Sequence, residues 1–167
     1  MTIVLIGPRG VGKTSVAKLI VEKLCLSYVS LDEEGKNLDF PFRQSPQGRA
    51  HIVRKVFEKY QKDKCLFDFG AFHSYYIEED LSNEIYELLL PEPNVFLLTP
   101  SEDIQESEKI LYEMNSKQVS EPFLSGISRT NSNLIRSSQN ESLAKHIVYT
   151  KDLSFEQIAD LVTTKVK

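Results

Sequence analysis

Hydrophobic and polar positions alternate along this chain in two patterns, and each pattern predicts a different element. Short apolar runs predict buried β-strands, and apolar residues that recur every three or four positions predict amphipathic helices. Strands are predicted at 2–6, 27–31, 65–69, 95–98 and 147–149, and helices at 16–24, 52–60, 77–90, 100–114 and 155–166. Because strands and helices alternate, we expect one α/β domain over residues 1–167, with a parallel sheet between two layers of helices.

Two helix starts carry capping signals. Thr99 and Pro100 resemble an N-cap followed by a proline at the first helical position, and Glu102 completes the pattern. Ser154 is followed three residues later by Gln157, which is the spacing of a capping box. We therefore expect helices to begin at both sites.

Composition excludes several classes of protein. The net charge is −4, and basic residues are not massed in runs, so nucleic acid is not expected as a partner. No apolar run approaches the ~20 residues needed to cross a bilayer, and the apolar N-terminal run is too short for a signal peptide. We expect a cytoplasmic protein without a membrane partner, as a monomer or a homodimer, with Cys25 and Cys65 as free thiols.

A glycine-rich loop follows the first predicted strand. Gly7, Gly12, Lys13 and Thr14 occupy the fixed positions of G-x-x-x-x-G-K-[ST], a pattern that cradles the phosphates of a nucleoside triphosphate. Glycines let backbone N–H groups approach phosphate oxygens, Lys13 supplies a cation, and the Thr14 hydroxyl can ligate Mg²⁺. The residues expected to contact the nucleotide are Gly7, Pro8, Arg9, Gly10, Val11, Gly12, Lys13, Thr14 and Ser15.

Two carboxylates lie at the ends of predicted strands. Asp32 follows the second strand, and Asp68 lies near the end of the third, just before Gly70 and His73. Ligands of open α/β sheets bind at the carboxyl ends of the strands. We therefore expect Asp32 to bind substrate and Asp68 to hold Mg²⁺ through water, together with Thr14. The alternatives are structural turn acids at both positions and a surface imidazole at His73.

The composition changes between residues 115 and 140. Serine, asparagine and a glycine replace large apolar residues, and Lys117, Arg129 and Arg136 are spaced through the segment. A disordered stretch is one interpretation. The other, which we favour because the segment is internal and carries cations, is a flexible lid that closes over phosphates.

The order of these parts resembles the shikimate-kinase branch of small-molecule P-loop kinases over nearly the whole chain. That family has an aromatic-x-Asp-x-Asp segment on its second strand, where this chain reads Tyr28-Val29-Ser30-Leu31-Asp32. Asp32 matches the family's substrate-binding aspartate, and Ser30 replaces the other one. Arg49 and Arg136 match two family arginines. The resemblance implies a five-stranded sheet in the order 2-3-1-4-5.

The chain departs from that family at two places. A glycine triplet after the third strand is replaced by Gly70-Ala71-Phe72, and the lid motif Arg-Pro-Leu-Leu is replaced by Glu121-Pro122-Phe123-Leu124. Arg129 is a candidate for the missing lid arginine. The resemblance thus implies ATP as a cofactor more strongly than it implies shikimate as a substrate.

The resemblance implies transfer of the ATP γ-phosphoryl group to a hydroxyl of a small, anionic metabolite. Catalytic roles are expected for Lys13, Asp32, Arg129 and Arg136, and substrate contacts for Asp32, Arg49, Gly70, His73 and Arg136. A nucleoside or nucleotide kinase is the first alternative, with Phe40, Phe42, Phe72, Tyr75 and Tyr76 as candidates for a base slot. A non-catalytic ATP-binding module is the second. The guanine-reading motif of GTPases is missing.

Overall fold

The computed structural model describes residues 1–38, 44–60 and 62–167. Within these residues, five strands form one sheet: β1 (Thr2–Ile6), β2 (Ser27–Ser30), β3 (Cys65–Asp68), β4 (Val95–Thr99) and β5 (His146–Tyr149). The strands are all parallel and lie in the order β2-β3-β1-β4-β5, as predicted. The central strand β1 pairs with both β3 and β4, and Val4 lies opposite Phe67 and Val95.

The helices of the described residues cover both faces of the sheet, so the three-layer prediction is confirmed. They are α1 (Lys13–Leu24), α2 (Leu31–Asn37), α3 (Pro46–Tyr60), α4 (Glu79–Leu89), α5 (Ile104–Ser116), α6 (Phe123–Arg136), α7 (Gln139–Leu143) and α8 (Phe155–Thr163). One core layer packs Phe57 of α3 and Leu89 of α4 against Phe67 of β3. The other packs Ile20 of α1 and Ile158 of α8 against the opposite face.

One of the two predicted helix starts is wrong. α5 does not begin after Thr99; its N-cap is Asp103, whose carboxylate accepts a hydrogen bond of 2.8 Å from the Glu106 N–H. The backbone at 100–101 has other partners, because the Pro100 carbonyl accepts from Lys151 N–H and the Ser101 N–H donates to the Ser107 hydroxyl. These contacts keep residues 100–103 outside the helix.

The segment from 115 to 140 is mostly helical. α6 packs along α5, burying Leu124, Asn131 and Leu134, and the short α7 follows. The segment has few apolar residues, which suggested a flexible lid, but they are enough to form one narrow buried face on α6. Closure of this segment as a lid therefore stays a prediction.

Two predictions remain, one about the base slot and one about membrane crossing. Phe40 and Phe42, named above as candidates for a base slot, lie outside the described residues. None of the described helices has the length and apolar content that crossing a bilayer requires.

The capping box that starts α8 is confirmed and can be tested. The Ser154 hydroxyl accepts from the Gln157 N–H, and the Gln157 side chain accepts from the Ser154 N–H. We expect Ser154→Ala to lower the free energy of unfolding by about 1 kcal/mol, whereas Ser154→Gly should cost only about 0.3 kcal/mol, because glycine is tolerated at N-caps. Urea denaturation of both variants checks this, and an alanine variant as stable as the wild type would contradict it.

Candidate active site

The glycine loop connects β1 to α1 in a conformation that other residues do not adopt easily. Gly7, Gly10 and Gly12 have φ angles of 141°, 93° and 92°, all in the left-handed region. A Cβ atom at Gly7 would lie 2.2 Å from the Leu98 carbonyl oxygen, and one at Gly12 would lie 2.6 Å from the Phe155 ring. The loop can therefore turn tightly between β1 and α1. At the start of α1, backbone N–H groups and the helix dipole favour an anion.

Lys13 is a buried cation at this helix start. Its side-chain ammonium donates to the Gly7 carbonyl at 2.9 Å and to the Pro8 carbonyl at 2.8 Å. Burial lowers the pKa of Lys13 to about 8, against the opposing effects of Asp68 and Asp32. A bound polyphosphate would supply the negative charge that this desolvated ammonium lacks.

Asp68 at the end of β3 joins the loop to β2. One of its carboxylate oxygens accepts from the Thr14 hydroxyl at 2.7 Å and from the Tyr28 hydroxyl at 2.8 Å. Burial, followed by the charge of Asp68, raises the pKa of Tyr28, so this phenol stays a donor. Thr14 and Asp68 thus form a pair of hard oxygen ligands beside Lys13, which fits Mg²⁺. The described residues hold no cluster of three His, Cys, Asp or Glu side chains that could bind a metal ion.

Asp32, Gly70 and His73 form a compact group on the other side of the cavity. Asp32 lies in the first turn of α2, and one of its oxygens is 3.7 Å from the His73 Nδ1. Burial is the largest cause of a lowered His73 pKa, so the imidazole is neutral at pH 7. A Cβ atom at Gly70 would lie 2.6 Å from the Asp32 carboxylate and 2.9 Å from the His73 Nδ1. Glycine at position 70 therefore leaves room for these two side chains.

Arg49 of α3 lies at the same cavity in a fixed orientation. Its guanidinium donates to the Phe72 carbonyl at 3.2 Å and to the Gln44 carbonyl at 2.7 Å, and it lies 5.5 Å from the centroid of the Phe72 ring. These contacts leave further guanidinium N–H groups for an anionic ligand, because arginine carries five donors.

These groups line one cavity of about 690 Å³. It therefore joins the phosphate loop to the acceptor-side residues predicted from the sequence. The predicted residues that line it are Arg9, Gly10, Gly12, Lys13, Thr14, Ser15, Asp32, Arg49, Asp68, Gly70 and His73.

Arg129 and Arg136 do not line this cavity in this structure, so their predicted roles at the phosphates stay predictions that depend on closure of the lid. Both line a separate groove between α5 and α6. The Arg136 guanidinium makes two hydrogen bonds of 2.8 Å with the two carboxylate oxygens of Glu108. Glu108 of the neighbouring helix α5 thus supplies the hydrogen-bond acceptors for Arg136. The sequence pattern did not predict this contact.

Two asparagines that sequence reasoning missed hold the loop from the side of α5 and α6. The Asn131 amide accepts from the Arg9 N–H and donates to the Arg9 carbonyl, both at 2.9 Å. The Asn115 amide donates to the Arg9 carbonyl at 3.1 Å and to the Leu111 carbonyl at 2.7 Å. Both asparagines are buried in helices, and only the tertiary contact distinguishes them from ordinary polar positions.

The sheet order and the loop define a P-loop nucleotide-binding protein. A family model described as "ATPase family associated with various cellular activities (AAA)" matches residues 3–91, which is more than half of the chain. The chain belongs to that family. No curated protein matches the sequence.

Several solved structures share the fold at low sequence identity. Shikimate kinase from Acinetobacter baumannii, in complex with shikimate, has a TM-score of 0.66 at 15% identity. The aligned region covers 98% of this chain and 90% of the shikimate kinase chain. A gluconokinase from Sinorhizobium meliloti has a TM-score of 0.62 at 14% identity, with coverage of 98% and 90%. The YorR protein of Bacillus subtilis, in complex with phosphorylated GDP, has a TM-score of 0.58 at 14% identity, with coverage of 98% and 94%. The predicted shikimate-kinase-like fold is therefore confirmed.

The contact between Asn131 and Arg9 generates a prediction. Asn131→Ala removes the acceptor of the Arg9 N–H and one of the two amide donors to the Arg9 carbonyl, and we expect it to lower the free energy of unfolding by about 1–3 kcal/mol. Asn133→Ala, at an exposed position of the same helix, should stay within about 0.5 kcal/mol of the wild type. Chemical denaturation measures both. Equal effects of the two substitutions would show that the contact does not hold the loop.

Proposed function

We propose that this protein transfers the γ-phosphoryl group of ATP to a hydroxyl of a small, anionic metabolite. The observation that carries the proposal is that Lys13 and its loop line the same cavity as Asp32, Arg49 and His73. Phosphoryl transfer needs the nucleotide and its acceptor in one space, because catalysis rests on positioning and on charge stabilisation.

An adjoining groove of about 290 Å³ provides a place for the nucleotide base. It is lined by Val11, Ile110, Met114, Thr150, Lys151, Asp152, Leu153, Phe155 and Ile158. Met114 and Phe155 line both this groove and the main cavity, so the two spaces are contiguous. A base in the groove would leave the triphosphate over Gly12 and Lys13, with its γ-phosphoryl group toward Asp32.

The loop side of the cavity would stabilise the charge of the transferred group. Lys13 contributes a cation whose surroundings have little water, and this strengthens its attraction to phosphoryl oxygens. Thr14 and Asp68 would hold Mg²⁺, which when bound neutralises charge on the phosphate oxygens. The Tyr28 hydroxyl fixes the Asp68 carboxylate from the side opposite β1.

The other side would hold the acceptor. Asp32 would accept a hydrogen bond from the acceptor hydroxyl and then its proton, since its carboxylate is 68% exposed toward the open cavity. The Nδ1 of the neutral His73 imidazole lies 3.7 Å from that carboxylate and makes no hydrogen bond with it. The guanidinium of Arg49 suits a carboxylate or phosphate on the acceptor, because its planar fork can bind two oxygens at once.

A nucleoside or nucleotide kinase is the second candidate function. The half-exposed Phe72 ring lies against Arg49 in the same cavity and offers a flat surface on which an acceptor base could stack. An acceptor of either class would therefore occupy the same part of the cavity.

Substitution of Lys13 tests the proposal. We expect Lys13→Ala to reduce phosphoryl transfer by about 10³-fold or more, because the cation that stabilises the transition state is lost. Lys18→Ala, at an exposed position of the same helix, is the control and should retain the wild-type rate. The measurement is ADP release, coupled to an optical readout, with shikimate, gluconate and nucleosides as acceptors.

The same assay separates the alternatives. A Lys13→Ala variant with the wild-type rate would contradict the proposal. Binding of ATP with no turnover of any acceptor would instead indicate a non-catalytic ATP-binding module. Preference for nucleosides over hydroxy acids would favour the second candidate.

The depressed pKa of Lys13 predicts a pH-dependent affinity for ATP. A bound triphosphate favours the charged ammonium, so binding takes up a proton once the pH exceeds the pKa of about 8 in the free protein. The apparent Kd for ATP without Mg²⁺ should be constant from pH 7 to about 7.5 and then rise toward tenfold per pH unit above about 8.

Isothermal titration in buffers of different ionisation enthalpy measures both the affinity and the proton uptake. His73→Gln is the control, because it removes the imidazole that lines the cavity and should leave the slope above pH 8 unchanged. An affinity that does not change between pH 7 and pH 9 would contradict the assignment.

A further inference from the structure

Arg9, in the loop between β1 and α1, has an exposed side chain that lines the main cavity. Lys13, Thr14 and Asp68, which are proposed to bind the phosphates and Mg²⁺, line the same cavity. The Arg9 guanidinium has no hydrogen bond or ion pair with any residue that the structure describes. A cation with five N–H donors therefore lies at the phosphate side of the cavity without a protein partner there.

The backbone of Arg9 is held in place, in contrast to its side chain. Its N–H donates to the Asn131 amide oxygen at 2.9 Å, and its carbonyl accepts from the Asn131 amide at 2.9 Å and from the Asn115 amide at 3.1 Å. Both asparagines are buried. The point from which the guanidinium extends is therefore fixed by α5 and α6. A fixed attachment point reduces the entropy that is lost when the side chain binds a ligand.

The other arginines that the structure describes have protein partners or lie outside this cavity. Arg49, which lines it from α3, donates to two backbone carbonyls. Arg54 pairs with a glutamate of α4 at 3.1 Å and does not line the cavity. Arg129 and Arg136 line the groove between α5 and α6. Among the described arginines, Arg9 is therefore the one that belongs to the phosphate loop and has its guanidinium available for a ligand.

The chemistry of phosphoryl transfer shows what such a cation can do. A bond forms between the acceptor oxygen and the γ-phosphorus, while the bond from that phosphorus to the β,γ-bridging oxygen breaks. The proton of the acceptor passes to Asp32, and the electron pair of the broken bond stays on the oxygen of ADP. Negative charge therefore grows on the bridging oxygen. A planar guanidinium can contact this oxygen and a γ-phosphoryl oxygen at the same time.

We propose that Arg9 is a catalytic residue whose guanidinium contacts the β,γ-bridging oxygen and the γ-phosphoryl group during transfer. This inference rests on the kinase function proposed above. Asn115 and Asn131 hold the backbone from which the side chain extends, so the loop itself supplies an arginine to the phosphates. No movement of α6 is needed for this contact. The stabilisation is largest in the transition state, where the charge on the bridging oxygen grows.

Steady-state kinetics of Arg9→Met and Arg54→Met test the proposal on the full chain. Arg9→Met removes the charge and keeps an unbranched side chain of similar length. It should lower kcat by about 10²-fold or more and change the KM for ATP by no more than about threefold. Arg54→Met replaces an exposed arginine outside the cavity and should keep the wild-type kcat. The assay is ADP release with the acceptor of the panel that is turned over fastest. A wild-type kcat in Arg9→Met, or a change in KM alone, would overturn the proposal.

Two further measurements separate a catalytic arginine from a structural one. The contacts of Asn115 and Asn131 use only the backbone of Arg9, so Arg9→Met keeps them and its melting temperature should stay within about 2 °C of the wild type. Arg9→Lys restores the charge without the planar fork, and its kcat should lie between those of Arg9→Met and the wild type. A lower melting temperature in Arg9→Met, or no recovery in Arg9→Lys, would contradict the catalytic role.

Binding of ADP with tetrafluoroaluminate separates a failure of this inference from a failure of the proposed function. The planar anion takes the place of the transferred phosphoryl group, so the wild type should bind ADP and Mg²⁺ about tenfold or more tightly when it is present. Isothermal titration should show that Arg9→Met loses this enhancement and keeps its affinity for ADP and Mg²⁺ alone. An enhancement that persists in Arg9→Met would overturn the role of Arg9, whether or not an acceptor is turned over. A wild type with neither turnover nor enhancement would overturn both proposals.

Discussion

The burial of Lys13 is the constraint on which the arrangement of the site depends. An ammonium group removed from water needs acceptors, and the Gly7 and Pro8 carbonyls supply them only because the loop adopts left-handed glycine conformations. Nearby Asp68 and Asp32 partly offset the cost of burying the charge. The cation therefore ties together the loop, the end of β3 and the start of α2.

The sheet order brings these parts together. β1 lies at the centre, so the loop that follows it has β3 on one side and β4 on the other. Asp68 at the end of β3 reaches Thr14 directly, while Asp32 and His73 lie beyond it on the same side. The ends of β4 and β5 remain on the opposite side, where Thr99 and Tyr149 line a separate cavity of about 280 Å³. One sheet edge thus carries two separate cavities.

α6 connects the two halves of this edge. Asn131 hydrogen-bonds to both backbone groups of Arg9 in the loop, and Leu134, about one turn further along, lines the cavity at the ends of β4 and β5. Arg136 at the end of the helix is held by Glu108 of α5. In this structure α6 hydrogen-bonds to the loop, and its arginines do not line the cavity that contains Lys13.

The sequence by itself determined the strands, the glycine loop and the acids at strand ends. These features are local, because an apolar run and a glycine requirement are properties of neighbouring residues. It also indicated Asp32, Arg49, Gly70 and His73, which line one cavity with the loop in this structure and whose roles stay predictions. It did not determine the helical state of α6, the partner of Arg136, or the contact between Asn131 and Arg9. Those depend on groups brought together across long stretches of chain, and only tertiary packing selects them.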